Sequence, residues 1–180
     1  MDLYGDNTVT FRVVLAGYRA AFGRLEDAHL SRDATATFLP LFETLNWLVA
    51  LDDQAAARWA PTGEPRGRKW WTDVTDGRHV QAVRHARNRV HHQWADALKL
   101  AEGMTFPMTF PLVFHEWCWR PSSDLPPIGR PDAKGQSAYD ELLAGSPARH
   151  GLRTLGELYA RLADLLEPQL PPEESSNPRH

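Results

Sequence analysis

At 180 residues, 42% of them hydrophobic, the chain is long enough to bury one domain-sized core and too apolar to be a disordered tail. A net charge of −3 argues against a general nucleic-acid coat. The only cysteine, Cys118, excludes an intramolecular disulfide and a Cys-based zinc cluster within one chain. Residues Met1–Asp6 have neither the basic start nor the apolar run of a signal peptide, and no apolar stretch approaches the roughly 20 residues of a membrane span. A cytoplasmic protein with no membrane partner is the expectation.

Thr8 or Thr10 is positioned to cap a first helix running to about Leu30. Phe11, Val14, Leu15, Tyr18, Ala21, Phe22 and Leu25 recur at helical spacing, and Gly17 and Gly23 allow close helix packing. After the short connection Ser31-Arg32-Asp33, a second helix is predicted from about Thr35 to Trp59. Its apolar face comprises Phe38, Leu41, Phe42, Leu45, Leu48, Val49 and Leu51 or Asp52. Pro40 belongs in a first turn, which moves the regular start to Thr37 or Phe38. Glu43 and Asn46 flank the apolar face, either half-exposed or reaching toward a neighbouring site.

Residues 60–67 form a loop by their Pro and Gly content, and Trp70 and Trp71 are expected to pack back onto the bundle. The third helix is predicted from Asp76 or Arg78 to about Glu102, ended by Gly103. Val80, Val83, Ala86, Val90, Trp94, Ala97, Leu98 and Ala101 make its core stripe. The segment 104–120 is rich in β-branched and aromatic residues and predicts a short β-hairpin or extended insertion, with Pro107 and Pro111 at edge positions. Pro121 to Gly135 is a loop, Gln136 to Ala144 a short helix ended by Gly145, and Thr154 to Leu166 a last helix. Thr154 and Glu157 of that helix resemble a capping box. The fold class is therefore mainly α: a single helical domain over 8–166 with an irregular or β-like insertion at 104–135, followed by a disordered tail at 167–180.

The chemistry concentrates in the third helix. Val83 to Trp94 holds three arginines, one asparagine and three histidines. Arg84, Asn88 and His92 share one ridge at about 100° per residue. Arg87 lies five positions before His92, about 140° away, and a long guanidinium side chain can swing to share a site with the imidazole. Asn88 can hydrogen-bond the His92 ring and set its tautomer. A histidine with a pKa of about 6.5 serves as general base or acid near neutrality, and a guanidinium clamps phosphate. Arginine with histidine, without a carboxylate cluster, fits RNA cleavage that needs no metal and no cofactor. Arg84, His85, Arg89 and His91 either bind phosphate or face water, with Glu43 as a further substrate-side group.

Arg87-Asn88-Arg89-Val90-His91-His92 resembles the Arg-polar-x-x-x-His motif of the HEPN superfamily, in which Asn is common at the second position. The resemblance implies a helical bundle, Arg87 and His92 as the catalytic pair, and Asn88 as their polar support. It further implies a homodimer with facing motifs and an endoribonuclease leaving 2′,3′-cyclic phosphate and 5′-hydroxyl ends. Such domains resemble toxins and defence ribonucleases, some paired with an antitoxin protein. Two other readings stand beside it. In one, a non-catalytic helical module binds a nucleotide, nucleic acid or protein partner. In the other, a structural dimer pairs Arg87 and His92 with Glu43 or Asp residues. Zinc binding through His85, His91 or His92 fits poorly, because no His-x-x-x-His pair or nearby Cys or Glu completes a ligand set.

Overall fold

Among the described residues, five α-helices and one antiparallel strand pair make up a mainly helical fold in the computed structural model. The structure describes residues 3–28, 31–59, 77–93, 96–105, 113–127 and 132–165; within these, the side chains of 3–10, 58–59, 92–93, 102–105, 113–115 and 165 are not described. The expectations for the loop 60–67, for Trp70, Trp71, Trp94, Pro107 and Pro111, and for the tail 167–180 lie outside the described residues.

Helix α1 (Leu3–Ala28) and helix α2 (Ala34–Trp59) form an antiparallel pair. Phe11, Leu15, Tyr18, Phe22 and Leu25 of α1 and Leu41, Leu45, Leu48, Leu51 and Ala55 of α2 are buried, as their spacing predicts. The start of α2 differs from expectation. Asp33 caps it by accepting from the Thr35 N–H at 2.8 Å, so the helix begins at Ala34 and Pro40 lies inside it. The Pro40 carbonyl accepts from the Thr44 hydroxyl at 2.7 Å. Over Ala34–Ala57 this helix is long and apolar enough by composition to cross a membrane, against the expectation of no such stretch. Here it packs on its neighbours and carries the buried carboxylate of Asp52.

Helix α3 (Gly77–Gln93) packs on α2. It stops nine residues short of the predicted end at Glu102. Ala97, Leu98 and Ala101 therefore do not continue a helical stripe. Strand β1 (Leu98–Thr105) pairs instead with β2 (Val113–Trp119), with Leu98 opposite Trp119 and Leu100 opposite Trp117. Leu98 is buried and Lys99 exposed, the period-2 pattern of a strand. The register shifts between Glu102 and Thr105, and Gly103 lies within this strand rather than at a helix end. The hairpin expected around 104–120 is present, and begins earlier.

A 3₁₀ turn at Ser122–Asp124 follows, then helix α4 (Ala133–Leu142) and helix α5 (Ala148–Leu165). Asp132 caps α4 through the Gly135 N–H, which starts that helix three residues before the expected Gln136 and shortens the predicted loop. Gly145, at φ 75°, closes the turn after α4 and donates its N–H to the Trp119 carbonyl. Helix α5 begins six residues before Thr154. The Thr154 hydroxyl donates to the His150 carbonyl inside the helix, so the expected capping box with Glu157 does not form. Helix α4 lies against α3, while α5 touches α1, α2 and α3.

Two glycines set the helix spacing. A methyl group on Gly17 of α1 would stand 2.7 Å from the Trp47 ring, as the close-packing reading expects, whereas one on Gly23 would meet nothing within 4 Å. A methyl group on Gly156 of α5 would fall inside the shell of the Tyr18 phenol, whose hydroxyl donates to the Leu152 carbonyl at 3.0 Å. Gly156→Ala must displace that ring, and is expected to destabilise the fold by about 1–3 kcal/mol. Denaturant unfolding checks this, with Gly23→Ala as the neutral or stabilising control.

Burial also raises the pKa of three tyrosines, Tyr18, Tyr139 and Tyr159, in each case chiefly by desolvation. The sign follows from proton counting. Above the ordinary value of about 10 the unfolded chain loses phenolic protons that the folded chain keeps, so stability is full below that pH and falls above it. Spectrophotometric titration is expected to show these three phenols ionising only as the chain unfolds.

Candidate functional site

Helix α3 is packed on two sides, and its polar residues divide accordingly. Toward α2 it turns Arg84, Arg87 and His91, spaced i, i+3 and i+7. Toward α4 and the segment after β2 it turns His85 and Arg89, one helical turn apart. Asn88 faces outward and is exposed.

The four arginines of this helix have different partners. Arg78 pairs with Glu141 of α4. Arg84 donates Nε–H to Asp52 Oδ2 at 3.0 Å, and its Nη2 reaches Asp52 at 2.5 Å and Asp53 at 2.6 Å. Burial pulls the Arg84 pKa down, but the hydrogen bonds and charges of the two carboxylates outweigh it and the net shift is upward. Asp52 is 3% exposed and also accepts from the Tyr159 hydroxyl at 3.1 Å, which ties α2, α3 and α5 together. Arg89 is 3% exposed, donates to the Pro126 carbonyl, and has its pKa lowered by desolvation. Arg87 is half-buried; it donates Nε–H to Asn46 Oδ1 at 3.0 Å and Nη1–H to Asn88 Oδ1 at 3.4 Å.

The histidines separate in the same way. His85 is 1% exposed, sets its Nδ1 3.2 Å from Asp132 Oδ2 and packs on Tyr139. His91 stacks on Phe42 with ring centroids 5.0 Å apart, and Phe42 stacks in turn on Phe38. A hollow of about 250 Å³ lined by Ala34, Thr35, Phe38 and Asp96 lies at the start of α2. His92 lies in the last turn of α3, and its side chain is outside the described residues. The motif from Arg87 to His92 thus closes the helix instead of occupying its middle.

Two site expectations change. His85 and Arg89 are core residues, because α4 covers a second side of α3; neither faces water. Glu43, expected as a substrate-side group, is ion-paired with Arg24 of α1. Asn46, which flanks the apolar face of α2, does reach the arginine. Sequence reasoning missed Asp52 and Tyr159 as the partners of Arg84 and its network. The available signal was a carboxylate standing seven residues after Leu45, on the apolar stripe itself. The Asp132–His85 contact left no such signal, since it spans 47 positions. Among the described residues no group of three or more His, Cys, Asp or Glu side chains converges as a metal site. Comparison with known protein families, with curated proteins and with solved structures finds no match.

Proposed function

We propose that the chain is a metal-independent endoribonuclease of HEPN type, acting in the cytoplasm as a homodimer with the two motifs facing each other. Arg87 holds the scissile phosphate, His92 moves the proton, and Asn88 supports the pair. The 2′-hydroxyl attacks the adjacent phosphorus, the bond to the 5′-oxygen breaks, and the leaving oxygen takes a proton. The products are a 2′,3′-cyclic phosphate and a 5′-hydroxyl.

One observation carries this reading. Of the four arginines on α3, Arg87 is the one whose partners are neutral amides and whose side chain remains part-exposed. Arg78 and Arg84 are neutralised by carboxylates, and Arg89 is enclosed. The full charge of Arg87 is thus available to a phosphate, with two amide oxygens holding its orientation. The mainly helical fold and the position of His92, five residues on along the same helix, agree with the motif.

The deciding experiment incubates the protein with RNA in EDTA and determines the ends of the fragments. Cleavage with cyclic phosphate and 5′-hydroxyl ends supports the proposal. Tight RNA binding without cleavage overturns it in favour of a non-catalytic binding module. A regulating antitoxin, if one belongs to this system, is expected to cover the Arg87 face.

A further inference from the structure

We propose that Asn46 of α2 is the positioning residue for the phosphate contact of Arg87, a role that rests on the reading of Arg87 as the group that holds the phosphate. It aims the guanidinium and leaves its charge in place. The orientation of the Asn46 amide follows from its two hydrogen bonds. Nδ2–H donates to the Phe42 carbonyl, one turn back along α2, at 2.9 Å. Oδ1 is therefore the atom that faces α3, where it accepts Nε–H of Arg87 at 3.0 Å. A turned amide would set N–H against N–H. The acceptor stands on packed parts of both helices: Phe42 stacks on His91 of α3, and Leu45 and Ala86, beside the pair, are fully buried. With Nε–H engaged by Asn46 and Nη1 directed at Asn88, Nη2 has no hydrogen-bond partner among the described residues. The end of the fork is the part left for a phosphate.

The neighbouring arginine shows what a different residue at position 46 would do. Arg84, one turn earlier on α3, meets α2 through the carboxylates of Asp52 and Asp53 and is neutralised by them. Arg87 meets the same helix through an amide. Among the described residues no carboxylate pairs with it, and Glu43, three residues before Asn46, is turned to Arg24 of α1. Asparagine and aspartate have the same shape, and either offers Nε–H an oxygen. A carboxylate would add ion-pair attraction to that hydrogen bond. The packing of α2 on α3 therefore gives no reason for an amide here. A guanidinium that keeps its charge for a ligand does, since sites of this kind hold back stability for function.

The test follows binding of single-stranded oligo(2′-O-methyluridylate), which lacks the attacking hydroxyl, by the full chain as salt is raised. Asn46→Asp is expected to flatten the slope of log affinity against log salt by about 0.7, the share of one single-strand phosphate. Its unfolding midpoint is expected to stay at or above that of the wild type, because the new carboxylate pairs with Arg87. Asn46→Ala leaves the charge but frees the side chain. It is expected to keep the wild-type slope and, on cleavable oligouridylate, to lower kcat about tenfold with little change in KM. A residue that merely seats α2 on α3 would move neither the slope nor kcat per folded molecule. A wild-type slope in Asn46→Asp, or a wild-type kcat in Asn46→Ala, overturns the proposal. The ribonuclease reading fails separately: a wild type that binds the oligonucleotide but cleaves no RNA removes the reaction, while a flattened slope in Asn46→Asp still supports the phosphate contact that Asn46 positions.

Discussion

Arg87→Ala is expected to lower the rate of RNA cleavage at least about a hundredfold while leaving the fold intact. The catalytic loss follows from the role proposed for the guanidinium: in that reaction charge builds on the phosphate oxygens as the 2′-hydroxyl attacks, and no other α3 arginine is placed to answer it. The small structural effect follows from the partners. Arg87 bonds Asn46 and Asn88, half-buried and exposed respectively, whose amides turn to water when it is removed. The stability loss is therefore about 0.5–1.5 kcal/mol. Arg87→Lys keeps the charge but not the planar fork, and is expected to fall between wild type and alanine. His92→Ala is expected to match or exceed the alanine effect at Arg87. Cleavage at the wild-type rate by either alanine variant, with unfolding midpoints confirming folded protein, would remove the motif from the mechanism.

Asp52→Ala is expected to produce the largest loss of stability among substitutions at the polar contacts described, about 3–5 kcal/mol. For a chain of this size that corresponds to a fall in Tm of roughly 6–20 °C. The carboxylate is buried, receives two hydrogen bonds from Arg84 and one from Tyr159, and joins three helices. Its removal strands a half-buried guanidinium and a buried phenol together. Tyr159→Phe removes only the third bond and is expected to cost about 1 kcal/mol. Arg84→Ala in the Asp52→Ala background should cost much less than in wild type, because the partner is already gone. Asp53 sets the remainder, since it also pairs with Arg84 but is itself exposed. Additive single and double variants in denaturant unfolding would show that the network is not coupled.

The two substitutions bear on different layers of one contact, that of α3 on α2. Asp52 and Arg84 fix how α3 sits on α2, and that seating presents Arg87 beside Asn46. Asp52→Ala is thus expected to disturb cleavage through the position of α3, whereas Arg87→Ala disturbs it with α3 in place. The ratio of activity loss to stability loss, both as free energies, separates them: above one for Arg87→Ala, and well below one for Asp52→Ala once activity is expressed per folded molecule.

Helical periodicity alone determined a large share of this protein: the class, the registers of α1 and α2, and the stripe Val83, Ala86 and Val90 that seats α3 are legible because burial repeats every three to four residues on one face. Asn46 was legible too, as a polar group beside an apolar stripe. The end of α3 was not. Residues 94–101 are mostly good helix formers with no Gly or Pro among them, and only pairing with Val113–Trp119 makes Leu98 and Leu100 strand residues. The fates of His85, Arg87 and Arg89 were likewise a tertiary decision. Their spacing places them around one helix, but which of them keeps its charge for a ligand depends on which sides α2 and α4 cover. A sequence records the angle between two side chains on a helix; the neighbours that desolvate one and leave the other part-exposed arrive from 40 or more positions away.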